Sequence, residues 1–276
     1  MLSVADARKR YRNIARLLLQ LHVCLAAAFL LAPIAIAVAL AFSSSSQLTF
    51  PPPGLSLRWF NFIWHWDLFR DGLFRSLVIA VSSAAISTIA GTAAAIALNH
   101  YAFPWRAVGR TVLRTVLMLP LMLPGVALGI AILFALPNFG LGTGIVAVTL
   151  GHSVIGIPYV AYLVLASLFS HDFSVERASA NLGASPWQTF RWITLPLSKD
   201  GCIFGFVITF LISFDNVSLS IFLTSGDTLP LRLIQHIQFY ADPSVAAASV
   251  VLILLSLVLL LPLAKSSGFQ RLGATR

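Results

Sequence analysis

The sequence predicts an all-α integral membrane protein with six transmembrane helices, both termini cytoplasmic, and a short cytoplasmic helix-turn-helix between spans four and five. Three observations carry this prediction. The chain has 276 residues, 58% of them hydrophobic and 10% charged, with a mean hydropathy of +0.91, whereas about a quarter of a soluble domain is charged. Several windows with almost no charge match the roughly 20 residues that cross about 30 Å of hydrocarbon at 1.5 Å per residue. The basic residues segregate between alternate connections, 14 of the 18 falling on one side.

Residues 1–16 are a basic cytoplasmic segment containing Arg8, Lys9, Arg10, Arg12 and Arg16. They precede span one, 17–42, whose apolar run is interrupted by Gln20, His22 and Pro33. A secretory signal has the same order of parts, but its apolar core of about 7–15 residues is shorter than this run. Residues 43–75 form an external loop with Ser43 to Ser46, Pro51 to Gly54 and the aromatics Trp59, Phe60, Phe62, Trp64 and Trp66. Two readings stand for that cluster: interfacial anchors or a docking surface for an external partner.

A single block, 76–264, holds spans two to six. Span two, Ser76 to Leu98, carries Ser87, Gly91 and Ala95 at a spacing that lets helix backbones approach. Span three, Val116 to Leu136, contains Pro120 and Pro124; span four, Gly144 to Leu168, contains Gly151, Gly156 and Pro158. These residues break helices that line a cavity, or kink helices whose neighbours satisfy the backbone. Span five runs from Gly201 to Leu223 and span six from Val245 to Ala264, before a cytoplasmic tail, 265–276.

The net charge of +9 suggests nucleic acid until it is mapped. Arg106, Arg110, Arg114, Arg177, Arg191, Lys199, Lys265, Arg271 and Arg276 join the N-terminal five inside, leaving Arg58, Arg70, Arg75 and Arg232 outside. That is the positive-inside pattern, and no basic stripe with interleaved aromatics is left for nucleic acid. Cys24 and Cys202 suggest neither a bridge nor a metal site, and no metal-binding set is expected.

The inner connection 171–200 has capping signals at both of its short helices. Ser174 caps a helix over 175–182, Glu176 sits in its positive first turn, and Gly183 ends it. Ser185, Pro186 and Gln188 then restart the chain through a capping box. Leu182, Trp187, Phe190, Trp192 and Ile193 are too apolar for a loop that only crosses water, so a partner should cover them.

The stretch Ala178-Ser179-Ala180-Asn181-Leu182-Gly183, followed by Ile193-Thr194-Leu195-Pro196, resembles the EAA loop of binding-protein-dependent ABC importer permeases. The family's Glu falls on Arg177, with Glu176 one residue before it, and its second Ala falls on Ser179. Gly91 to Ala94 through Tyr101 to Pro104 resembles the end of span two in the same family, and Leu119 to Gly125 resembles its third span. Ser213-Phe214-Asp215-Asn216, Leu229-Pro230-Leu231 and Asp242-Pro243 are similar to the second permease of spermidine/putrescine importers.

The resemblance implies a non-catalytic transport subunit in the bacterial inner membrane. Its coupling loop would engage a cytoplasmic ATPase dimer through Glu176, Arg177, Ala178, Ser179, Leu182, Gly183, Ile193, Leu195 and Pro196. It also implies a second permease, a sister chain or another copy, and an external substrate-binding protein. ATP and Mg would sit on the ATPase, with no cofactor on this chain. None of Lys9, Lys199 and Lys265 follows a Gly, so no phosphate-binding loop is present in the sequence.

Asp215 is the one formal charge placed inside a span, and with Asn216 and Ser213 it lines a translocation path for a cation or closes a helix end. His152 makes a helix-helix hydrogen bond or serves the path; Tyr159 and Tyr162 face a cation or pack. Polyamines compete as cargo with ferric iron, thiamine, sulfate and phosphonates. A membrane enzyme would need His, Asp or Glu at acid-base spacing, and a receptor or channel leaves the apolar knob unexplained.

Overall fold

The computed structural model describes residues 4–100, 106–169 and 174–264. The expectations for Tyr101 to Pro104, for His171 and Asp172 and for the tail with Lys265, Arg271 and Arg276 lie outside these residues. The described residues are helical apart from connections and one isolated antiparallel bridge, Ser43 with Leu55. They divide into two compact units, 1–65 with 239–253, and 66–238 with 254–276.

In the first unit, α1 (Val4–Ala41) absorbs the basic segment as well as span one. Its apolar side chains are uncovered, Phe29 at 80% exposure. The loop behind it closes on itself: Ser44 N–H donates to the Gly54 carbonyl at 2.9 Å and Ser56 N–H to the Phe42 carbonyl at 2.7 Å. From α2 (Arg58–His65), Arg58 donates to the Ser44 carbonyl and Trp59 Nε1 to the Ser45 carbonyl. The aromatic cluster therefore splits, Trp59 being buried and Trp64 exposed.

In the second unit, α3 (Asp67–His100), α6 (Ile145–Phe169) and a long helix ending at Phe214 pack against one another. The external connection thus ends at Trp66 rather than at residue 75, because Asp67 opens a helical turn with an acid at its positive end. Small residues set the crossings. A Cβ on Gly91 would meet the Val160 side chain and the Ile157 carbonyl, and one on Gly201 would meet the backbone of Leu163 and Val164. Ser83 and Ser87, one turn apart on α3, donate to the Thr149 and Ser153 carbonyls of α6 at 3.0 and 3.1 Å. The small-residue face of span two is a packing face.

Span three is broken. Helices α4 (Arg106–Met122) and α5 (Gly125–Ala135) meet at a 106° bend, taken with the 3-10 turn to Phe139. Pro124 lacks an N–H and its ψ of 134° is extended, which stops one helix and starts the next. Span four is not broken: α6 runs through Gly151, Gly156 and Pro158, and its glycines serve close approach.

Span five needs different bounds, while span six keeps its expected ones to within a residue. After α7 (Ser174–Asn181), α8 (Pro186–Thr189) passes through a π turn at Phe190–Thr194 into α9 (Leu195–Phe214). The run 186–214 is one apolar helix of 29 residues. Pro196 has no N–H to offer the preceding turn, and the wider π turn accommodates it. At the other end the helix stops at Phe214, nine residues before the expected Leu223, and Asp215 is its C-cap, at a helix end rather than inside the span. Short α10 (Ser220–Leu223) and α11 (Leu229–Phe239) lead to α12 (Ser244–Ala264).

Four helices are long and apolar enough to cross a membrane, five with the bent pair, and α12 is a further apolar helix of 21 residues. All lie within the described residues.

Candidate functional site

The knob formed by α7 and α8 is built by its turn. Gly183 has φ +84°, its N–H donates to the Ala180 carbonyl at 3.0 Å, and Ala184 N–H donates to the Ser179 carbonyl at 3.2 Å. That pair of bonds is the Schellman closure, which favours Gly at the left-handed position. Across the turn, Gln188 N–H donates to Ser185 Oγ at 3.3 Å and Ser185 N–H to Gln188 Oε1 at 2.7 Å, completing the capping box. Helix α7 starts at Ser174 itself, one residue before the expected start; the Ser174 side chain lies outside the described residues.

Two side-chain bonds hold the knob to the long helix. Thr194 Oγ1 donates to Glu176 Oε1 at 2.6 Å, and the Ser179 and Thr189 hydroxyls lie 3.0 Å apart. Glu176 therefore faces inward, while Arg177 and Ala178 are exposed. Leu182, at 88% exposure, is joined at the surface by Trp187 and Trp192. Ile193 is half-buried, and Leu195 and Pro196 are exposed at the start of α9. Thr194 is the residue that sequence reasoning missed here; its signal is a hydroxyl inside an otherwise apolar quartet.

A second polar group joins α6 to the end of α9. His152 Nδ1 lies 2.7 Å from Ser213 Oγ and Nε2 lies 3.1 Å from Ser220 Oγ, with all three side chains buried. Ser220 spends its hydroxyl proton on the Asn216 carbonyl at 2.7 Å. Toward the ring it can only accept, so in a neutral imidazole Nε2 carries the proton and Ser213 donates to Nδ1. Asn216 Oδ1 accepts from Leu219 N–H at 3.0 Å and starts α10.

Three of the expected path residues, His152, Ser213 and Asn216, thus belong to one network, with Ser220 as its unforeseen member. Asp215 is exposed and makes no side-chain contact with that network; Tyr159, half-buried, sits two turns along α6 from His152.

The same end is fastened to α3. Leu229 N–H donates to Ser76 Oγ at 2.9 Å, Arg75 pairs with Asp227 at 3.5 Å, and Arg232 donates to the Leu68 and Gly226 carbonyls. A cluster of Ile79, Leu128, Leu136, Val148, Leu219 and Leu223 fills the space beneath. The polar network therefore sits on a packed floor made by α3, α5, α6 and α10.

Residues 87–264 match the family model described as a binding-protein-dependent transport system inner membrane component. The spermidine/putrescine transport system permease protein PotC of Haemophilus influenzae is 30% identical over 84% of this chain and 89% of its own length. The putrescine transport system permease protein PotI of Escherichia coli K12 is 28% identical over 82% of each.

Among solved structures, a bacterial ABC transporter that imports the acidic polysaccharide alginate has a chain of similar fold, with a TM-score of 0.67 at 16% identity, covering 97% of this chain and 100% of that one. A chain of the MetNI methionine ABC transporter in inward-facing conformations gives a TM-score of 0.62 at 18% identity, covering 73% and 95%. Family match, full-length relatives and shared fold agree: the chain belongs to the multi-pass, binding-protein-dependent permease subunits of ABC importers.

Proposed function

We propose that this permease forms half of the translocation path of a polyamine importer and couples it to ATP hydrolysis on a separate subunit. The observation that carries the cargo is Asp215. Its carboxylate is exposed where α9 ends, and the carbonyl end of a helix carries roughly half a negative charge of its own. Carboxylate and dipole add at one place. An exposed carboxylate is costly against hydrocarbon, so this one faces water, and a polycation is the solute it draws from that water. The names of PotC and PotI support the same cargo.

On the knob, the inward bond of Glu176 leaves Arg177 as the charge offered to the ATPase, with Leu182, Trp187 and Trp192 as the apolar contacts. A second permease, an external binding protein and an ATPase dimer holding ATP and Mg complete the assembly.

The test is ATP-driven uptake of spermidine and putrescine by the reconstituted assembly in sealed vesicles. Asp215→Asn should raise the half-saturating concentration about fivefold or more, the size of one unit-charge contact in water. Unchanged uptake in that variant overturns the role of Asp215. No polyamine uptake by the native assembly, with another solute carried instead, overturns the cargo.

A further inference from the structure

Where α3, α4 and α6 approach the knob, a cavity of about 330 Å³ opens between them, within the roughly 300–1,000 Å³ range of ligand pockets. Leu98, Met118, Leu165, Ala166 and Phe169 give it apolar walls, and Arg114 and Tyr162 are its polar members. Among the described residues no acid lines it, and Arg114 makes neither an ion pair nor a hydrogen bond there.

The cavity is also placed at a particular depth. Helix α6 has 25 residues, about 37 Å at 1.5 Å per residue, so it outruns a hydrocarbon core of about 30 Å. Phe169, its last residue, stands at the headgroup level on the knob side, and Tyr162 lies about 10 Å deeper. A guanidinium near that boundary, open to an apolar cavity and without a counterion among the described residues, has the chemistry of a lipid-phosphate site. Arginine pairs with phosphate oxygens through two parallel N–H bonds, and basic pockets between spans on the cytoplasmic side take anionic headgroups.

We propose that this cavity binds an anionic phospholipid of the inner leaflet, with Arg114 on the phosphate and an acyl chain running inward past Leu165, Met118 and Tyr162. The proposal rests on membership of the membrane permease family and not on the polyamine cargo.

The test is native mass spectrometry of the permease purified with its ATPase, supplied with phosphatidylglycerol or phosphatidylcholine. Phosphatidylglycerol occupancy should fall about fivefold in Arg114→Gln, the weight of one basic residue near an anionic surface. It should fall less in Arg114→Lys, which keeps the charge but not the paired donors, and stay near native in Arg70→Gln, an exposed arginine elsewhere. Met118→Trp fills the cavity without altering charge and should lower occupancy as well, which keeps the test readable where Arg114→Gln fails to assemble.

Equal retention by native protein and Arg114→Gln, as a guanidinium already neutralised by Asp172 would give, overturns the site. So does equal retention of the two lipids, or displacement of phosphatidylglycerol by inorganic phosphate.

Discussion

At the residue scale, His152 joins two hydroxyls that belong to different elements, Ser213 at the end of α9 and Ser220 at the start of α10. Removing the ring leaves both buried without that partner, although Ser220 keeps its bond to the Asn216 carbonyl. His152→Ala is therefore expected to cost about 1–3 kcal/mol, the penalty of an unpaired buried polar group plus the space left behind. Thermal unfolding of the purified assembly should show a lower midpoint, and an unchanged midpoint would remove His152 from the support of this junction. Sequence reasoning singled out His152, Ser213 and Asn216 because polar groups among apolar ones stand out. It could not join them, since Ser220 falls in what hydropathy reads as the tail of span five. Asp215 was the one cue that a helix closes here, and hydropathy runs past it; the stop is reinforced by tertiary packing of α10 on α5 and α6.

At the element scale, the knob was the most legible part of the chain because its signals are local. A capping box, a proline at the first helical position and a glycine closing the previous helix are each read within four residues, and all are present with their bonds. Less legible was where the second short helix ends. It does not end: the chain continues through the π turn into α9. Pro196 has no N–H to give the preceding turn, and the wider π turn before it lets the helix proceed. The bend after Leu123 was signalled by Pro124, but its 106° angle depends on α5 lying along Leu219 and Phe222. Gly183→Val would force a β-branched residue into φ +84°, at a cost of about 1–3 kcal/mol of backbone strain. The space around Gly183 is open, so the rest of the knob keeps its packing. Less ATPase should co-purify with this variant; retention at the native level would show that the turn does not govern docking.

At the scale of the whole molecule, the charge segregation predicts an orientation that surface labelling can read. A cysteine placed at Arg177 should react with an impermeant maleimide only in inside-out vesicles, and one at Gly54 only in intact cells or spheroplasts. The reverse pattern would invert the topology and move the docking knob to the wrong side. The helical class and the membrane setting were legible from composition alone, while helix bounds were not, because hydropathy does not register a helix that continues beyond the hydrocarbon. The long helix has a mechanical consequence. Its 29 residues make a rod of about 43 Å, with the α7–α8 knob at one end and the His152 junction at the other. The glycine crossing at Gly201 and Gly205 brings it close against α6. By the 1.5 Å rise, the arm from that crossing toward Pro186 is about 25 Å and the arm toward Phe214 about 16 Å. A tilt about the crossing, driven from the knob, would arrive at the polar junction reversed in direction and reduced to about two-thirds of its size, a lever geared for force rather than for travel.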